Sequence, residues 1–274
     1  MSLNWIDPSE YSFNSFLLLE RFQIRLMLNW GGWGNDKELW RRSMCIALNA
    51  NPVVKWYFIQ RCPECADIVE ELTKDGQPTV DAVRIREAEV YALQSVEDFT
   101  IYTTPARMAE QCDFVRGWNK QRLFELADFR GKTVLDVGAG SGRLTFAAAE
   151  KAEWVYASEP VGTLREFMRD RVTTEGIKNV RITDGFITEL PFPDDTFDIV
   201  MAGHVIGDDY DAEIAELTRV CKPDGWIIDC PGDSEHDMKA NDELIARGFE
   251  ALYYHGSFGF DVYCYRKRIA KQNH

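Results

Sequence analysis

No stretch of this chain comes near the ~18 uninterrupted apolar residues of a membrane span. The N-terminus lacks the basic-then-apolar layout of a secretory signal, because Asp7, Glu10 and Glu20 interrupt it. Cations are scarce as well: 31 Lys and Arg stand against 45 Asp and Glu, a formal net charge of −14. Affinity for a polyanion rests on Lys and Arg, so a broad nucleic-acid surface is not expected. The one short basic cluster, Arg266, Lys267 and Arg268, reads as the solvated end of a terminal strand. Seven cysteines, an odd number scattered along 274 residues, do not suit a disulfide framework. Neither an internal repeat nor a low-complexity tract is present. These absences point to a protein of the reducing cytoplasm, with no membrane partner. The 45% of hydrophobic residues then supply a substantial buried core.

The first part of the chain is rich in helical periodicity. Amphipathic helices are expected at 11–28, 37–48, 52–60, 62–72, 79–94 and 105–127, with a turn at 30–34. Within it, Cys62-Pro63-Glu64-Cys65 places Pro63 at the first helical position and two thiols near a helix start. A helix N-terminus lowers a thiol pKa, so a redox pair is one reading. A zinc site needs two further ligands, for which no second CxxC exists. Two structural thiols at a helix start is the expectation, and no metal is expected. Trp30, Trp33, Trp40, Trp56, Tyr57 and Phe58 read as packing of a helical layer, with a substrate pocket as the alternative.

The second part is organised around TVLDVGAGSGRLT, residues 133–145. An apolar run carrying Asp136 is followed by Gly138, Gly140 and Gly142 at alternate positions, and then by an amphipathic stretch. That order is a buried strand, a glycine turn and a helix start. A missing Cβ permits positive φ and a close approach of ligand to backbone. A dinucleotide fingerprint, G-x-G-x-x-G, needs a small residue at position 143, where Arg143 stands. Glu159 ends the next apolar strand about twenty residues on, where α/β nucleotide folds place an acid against ribose hydroxyls. Further strands are expected at 180–182, 198–202, 226–230, 249–254 and 262–265, and helices at 144–151, 211–220 and 235–247, with another starting at Pro160.

The string D-x-G-x-G-x-G resembles the first motif of class I S-adenosylmethionine-dependent methyltransferases. LPFPDDTFDIV, residues 190–200, and R-V-C-K-P-D-G, residues 219–225, are similar to two later stretches of the small-molecule members. The resemblance covers about residues 121–267. It implies an α/β fold: a doubly wound, mostly parallel seven-stranded sheet of Rossmann-like type, here with an α-helical N-terminal region. The domains are then 1–120, for capping and substrate specificity or for homodimerisation, and 121–274, binding S-adenosylmethionine.

By the same resemblance, Asp136 and the backbone of Gly138, Ala139, Gly140 and Gly142 hold the amino-acid end of the cofactor. Glu159, followed by Pro160, holds its ribose. The family places an adenine-binding acid where Phe186 stands; either Asp184 takes that part through a shifted loop, or Phe186 and Ile187 sandwich the ring. Gly203 and His204 lie beside the methionine moiety and the acceptor, with His204 as the candidate general base. His255 reads as a loop residue. The implied activity is methyl transfer to a small-molecule acceptor, leaving S-adenosylhomocysteine. A protein that binds the cofactor without catalysis, as sensor or scaffold, is the alternative, and an NAD-dependent oxidoreductase is disfavoured.

Overall fold

The computed structural model describes residues 5–31, 36–74, 81–112, 114–115, 118–232, 239–256 and 259–270. It divides into two compact units, Met1–Met108 and Ala109–His274.

The first unit is helical. Short 3-10 turns at Pro8–Glu10 and Phe13–Leu18 precede α1 (Arg21–Trp30), α2 (Lys37–Ala50), α3 (Pro52–Arg61), α4 (Ala66–Thr73), α5 (Ala82–Gln94), α6 (Glu97–Tyr102) and the start of α7 (Pro105–Gln111). The single helix expected over 11–28 is broken. Leu19 and Glu20 are extended, and Glu20 caps α1 in a reciprocal box with Gln23, whose side chain accepts from the Glu20 amide at 2.8 Å. That cap outweighs the continuous apolar pattern across it. Trp40 and Phe58 are fully buried with Phe13 and Phe16 among Met27, Met44 and Leu48, so these two of the expected aromatics pack a helical layer. Trp56 and Trp30 are instead exposed, and Trp33 lies outside the described residues.

Cys62 and Cys65 are both buried around a 3-10 turn, Pro63–Cys65. Burial, ahead of the hydrogen bond from Cys65, pushes the Cys62 thiol up to about 12. This is the reverse of an activated redox thiol. Helix α6 was not expected. The helix expected over 105–127 is two, α7 and α8 (Gln121–Leu126), because the Asn119 side chain accepts from the Gln121 amide at 3.0 Å and competes with helix there. Of the turn expected at 30–34, only Trp30 and Gly31 are described. Gly31, at φ 70, terminates α1.

The second unit is a seven-stranded sheet in the order β3-β2-β1-β4-β5-β7-β6. Its strands are β1 (Thr133–Val137), β2 (Trp154–Ser158), β3 (Val180–Thr183), β4 (Phe197–Ala202), β5 (Cys221–Asp229), β6 (Glu250–His255) and β7 (Asp261–Arg268). The first five run parallel, and β7 lies antiparallel between β5 and β6. Helices α9 (Arg143–Ala149), α10 (Gly162–Thr174), α11 (Tyr210–Val220) and α12 (Asp242–Ala246) complete the described elements. Side chains alternate between two buried layers: Val134, Val155, Ile199 and Met201 on one face, Leu135, Val137, Val200 and Leu217 on the other.

Sheet order reverses between β1 and β4, so the crevice for a ligand opens at their carboxyl ends. Three expectations about elements shift. The turn residues 221–225 lie inside β5, in an irregular register with Asp224 at φ 59. Helix α10 begins at Gly162 rather than Pro160, because the Val161 amide is held by the Glu159 carboxylate. Of the helix expected over 235–247, residues 235–238 lie outside those described. No helix among the described residues is long and apolar enough to cross a membrane.

Candidate functional site

The turn after β1 brings Gly138, Gly140 and Gly142 to φ 63, 56 and 90, the left-handed region where glycine alone is unstrained. A Cβ on Gly138 would lie 2.5 Å from Val205, and one on Gly142 would lie 2.3 Å from the Phe146 ring. Between them Ala139 is buried. The amides of Gly138 and Ala139 both donate to the Ser158 carbonyl, at 2.8 and 3.1 Å, which pins the turn to the end of β2.

Two acids sit beneath it. Asp136 is buried and accepts from Thr145 Oγ1 at 2.5 Å. Burial raises its carboxyl to about 7 against that bond and the Arg143 charge. Glu159 is buried as well, with Oε2 accepting from the Gly140 amide and Oε1 from the Val161 amide, each at 2.8 Å. Burial lifts it likewise to about 7, opposed by those two backbone bonds and by Arg165. Glu159 therefore braces the glycine turn and the start of α10 together. Beside it, the Ser158 hydroxyl is buried with no hydrogen-bond partner among the described residues.

Past β3 the candidates separate. Asp184 is exposed and paired with Arg165 at 3.2 Å. Phe186 is 42% exposed, a high value for a phenyl ring, while Ile187 packs into the sheet core and Pro160 is half-buried. Gly185 adjoins Ser158: a Cβ there would come within 2.5 Å of the Ser158 hydroxyl.

At the end of β4, Gly203 has no room for a side chain, since a Cβ would meet the Cys230 carbonyl at 2.7 Å and Arg143 Nη2 at 2.8 Å. His204 takes φ 62, with its ring 4.4 Å from that of Phe114 and tilted by 48° to it. The loop beyond is held by buried Glu213 on α11, which accepts from the amides of Gly207, Asp208 and Asp209 at 2.8, 3.2 and 3.1 Å. A cavity of about 210 Å³ opens here, lined by His204, Asp229, Lys239, Asn241, Tyr263 and Tyr265 among others. Asn241 is fixed from two sides, donating to the hydroxyls of Tyr265 at 2.6 Å and Tyr210 at 2.9 Å. His255 stands apart on the outermost strand, 3.4 Å from Asp261.

Sequence patterns marked neither Glu213 nor the Asn241–tyrosine network, because their partners lie on other elements. Arg143, useful at first only for excluding a dinucleotide motif, is a clamp. Its Nη2 donates to the carbonyls of Cys230 and Pro231 at 2.7 and 3.0 Å, and its guanidinium lies 4.5 Å over Trp118.

Fold and site together define a doubly wound α/β domain whose ligand crevice lies at the switch between β1 and β4. A family model described as a methyltransferase domain matches residues 134–225 of this chain. A demethylmenaquinone methyltransferase of Geobacillus stearothermophilus is 31% identical over 159 residues, 56% of this chain and 64% of that protein. An uncharacterized methyltransferase of Bacillus subtilis, YcgJ, is 32% identical over 119 residues, 42% of this chain and 47% of that protein. The chain thus spans less than two thirds of the length of these relatives. The crystal structure of a SAM-dependent methyltransferase from Aquifex aeolicus is 19% identical with a TM-score of 0.48, covering 61% of this chain and 96% of that one.

Proposed function

We propose that the protein transfers a methyl group from S-adenosylmethionine to a small-molecule acceptor. The observation that carries this reading is the turn of three left-handed glycines braced by Glu159 at the carboxyl ends of β1 and β2. The residues fit such a cofactor. Gly140 places no side chain in the crevice, and the orphaned Ser158 hydroxyl offers a polar contact at the end of β2 beside Gly185. Bound there, S-adenosylmethionine supplies an electrophilic methyl on a sulfonium leaving group.

The chain's own part is to bind, align and exclude water. Asp136 and the backbone of Gly138–Gly142 orient the amino-acid end. Glu159 has further lone pairs on both carboxylate oxygens for ribose hydroxyls, with Pro160 beside it. Phe186, with its ring presented to solvent, covers adenine together with Ile187, while Asp184 stays at the rim with Arg165. Gly203 lets the strand end approach closely. His204 takes a proton from the acceptor at one ring nitrogen.

A compact acceptor enters the cavity beside His204. At about 210 Å³ it is smaller than the ~300–1,000 Å³ typical of drug-sized ligands, and its lining is mostly polar. That the relatives include one named for demethylmenaquinone supports a small-molecule acceptor. The polar lining favours a polar acceptor group over an apolar one.

Isothermal titration calorimetry with S-adenosylhomocysteine and, separately, NAD tests the cofactor. Micromolar binding of the first alone is expected, and no binding of it would overturn the reading. Transfer of label from S-adenosylmethionine to members of an acceptor panel then separates an enzyme from a protein that only binds.

A further inference from the structure

Cys230 and Cys264 face one another across β5 and β7. The pairs from Trp226↔Arg268 to Asp229↔Tyr265 set the register, and one further step sets Cys230 opposite Cys264. Directly opposed residues of antiparallel strands have Cα atoms about 4.5–5.5 Å apart, within the span that a disulfide bridges. The two sulfurs are 3.8 Å apart, both thiols are buried, and both are free.

Their surroundings are unequal. The Cys264 thiol donates to Cys230 Sγ. That bond, helped by the charge of the nearby Arg143 guanidinium, draws the Cys230 thiol below its usual range, while Cys264 is pushed up. Asp229 and Pro231, on either side of Cys230 in the chain, line the 210 Å³ cavity, whereas the two thiols lie in the layer of Val134, Ile199 and Met201 on the other face of the sheet. Cys62 and Cys65 also share a thiol–thiol hydrogen bond, but there burial holds the Cys62 thiol up at about 12.

We propose that Cys230 and Cys264 form a peroxide-responsive dithiol, with Cys230 the attacking sulfur and Cys264 the resolving one. The Cys230 thiolate attacks hydrogen peroxide; an S–O bond forms, the O–O bond breaks, and hydroxide leaves. Cys264 sulfur then attacks the sulfenic sulfur. An S–S bond forms, the S–O bond breaks, and water leaves with the Cys264 proton, while the hydroxide takes up the proton that Cys230 had lost. Two electrons pass from the thiols to the peroxide, giving two waters. The bond requires the sulfurs to close from 3.8 to about 2.05 Å. Cys230 also carries the carbonyl that anchors Arg143 and abuts Gly203, so this closure reaches the candidate site.

Peptide mapping tests the pairing. The full-length protein is treated with hydrogen peroxide, alkylated with iodoacetamide in denaturant, and digested without reductant. The expected product joins the Cys230 and Cys264 peptides, leaves the other five cysteines alkylated, and disappears with dithiothreitol. Full alkylation of Cys230 and Cys264, or a link between Cys62 and Cys65 instead, would overturn the assignment. In a Cys264→Ser variant, dimedone should capture Cys230 as its sulfenic acid; capture elsewhere would contradict the named order of attack. Calorimetry with S-adenosylhomocysteine on oxidised and reduced protein is expected to show at least about fivefold weaker binding when linked. Equal affinity in the two forms would sever the dithiol from the site. Peptide mapping requires no ligand, so failure of the methyltransferase reading would leave that result interpretable.

Discussion

The two sides of the switch between β1 and β4 are built by different means. On the β1–β2 side the site is mostly backbone: three left-handed glycines, amides held by the Ser158 carbonyl, and buried acids that brace the turn from below. On the β4–β5 side it is mostly side chains, with His204, Asp229, Asn241, Tyr263 and Tyr265 converging from separate segments. Backbone geometry tolerates few residue types, so the first side is stiff and carries a recognisable string. Side chains around a cavity can be exchanged without unfolding the sheet, so the second can change its ligand. One domain can then keep a cofactor while its acceptor varies.

The sharpest way to break this contrast is Gly142→Val. A branched side chain at φ 90, with its Cβ 2.3 Å from the Phe146 ring, combines backbone strain with overpacking. A loss of about 3 kcal/mol or more in urea unfolding is expected, along with loss of S-adenosylhomocysteine binding. Retained binding at near-normal stability would mean that the turn is not the rigid element argued here.

A pH titration of stability sharpens the same side. Burial raises Asp136 from its ordinary 3.8 to about 7 and Glu159 from 4.5 to about 7. The folded state thus binds more protons than the unfolded chain between those values. The stabilisation is complete below about pH 4 and is lost as pH rises towards 7. Asp136→Asn removes the titrating group while keeping an acceptor for Thr145 Oγ1. Between pH 4.5 and 7.5 the variant should therefore gain on the wild type, by on the order of 2 kcal/mol in urea midpoints converted to free energy. A constant difference across that range would show that Asp136 is ionised throughout.

This asymmetry also explains what the sequence could disclose. The strand-turn-helix at 133–149 and the parallel strands were legible because each is specified by residues near one another in the chain. Breaks in helical patterns at Leu19–Glu20 and ahead of Gln121 were not, since the apolar spacing runs on through them while local caps start a new helix. The clamp from Arg143 to Cys230, 87 residues away, and the network of Tyr210, Asn241 and Tyr265 depend on pairing of distant strands. Their residue types are ordinary, so no local pattern marks them. In the first unit the aromatics announced a core, which Trp40 and Phe58 enter while Trp30 and Trp56 stay exposed, and packing residues say nothing about chemistry.

On the side-chain half, Glu213→Ala should be milder. It frees three amides at 207–209 in a loop where water can replace the lost acceptor. About 1–2 kcal/mol of stability is at stake. Hydrogen exchange at Gly207, Asp208 and Asp209 should accelerate at least tenfold, with S-adenosylhomocysteine affinity unchanged within about twofold. Loss of that affinity would show that the two halves are not separable.

The smallest effect on stability is expected at His204, and it separates backbone from side chain most cleanly. His204 occupies φ 62, where a side chain is tolerated at a cost that asparagine bears more easily. Its ring also packs against Phe114. In His204→Asn these two changes oppose one another, so stability should move by less than about 1 kcal/mol. Cofactor affinity should stay level, because the ring lies beyond Gly203 on the acceptor side. Transfer to whichever acceptor the panel identifies should fall, by about 10²-fold if the imidazole moves a proton. It should also lose the inflection near neutral pH that a histidine base imposes. Unchanged transfer with an unchanged pH profile would assign His204 to shaping the loop, and leave alignment alone to carry the reaction on that side of the sheet.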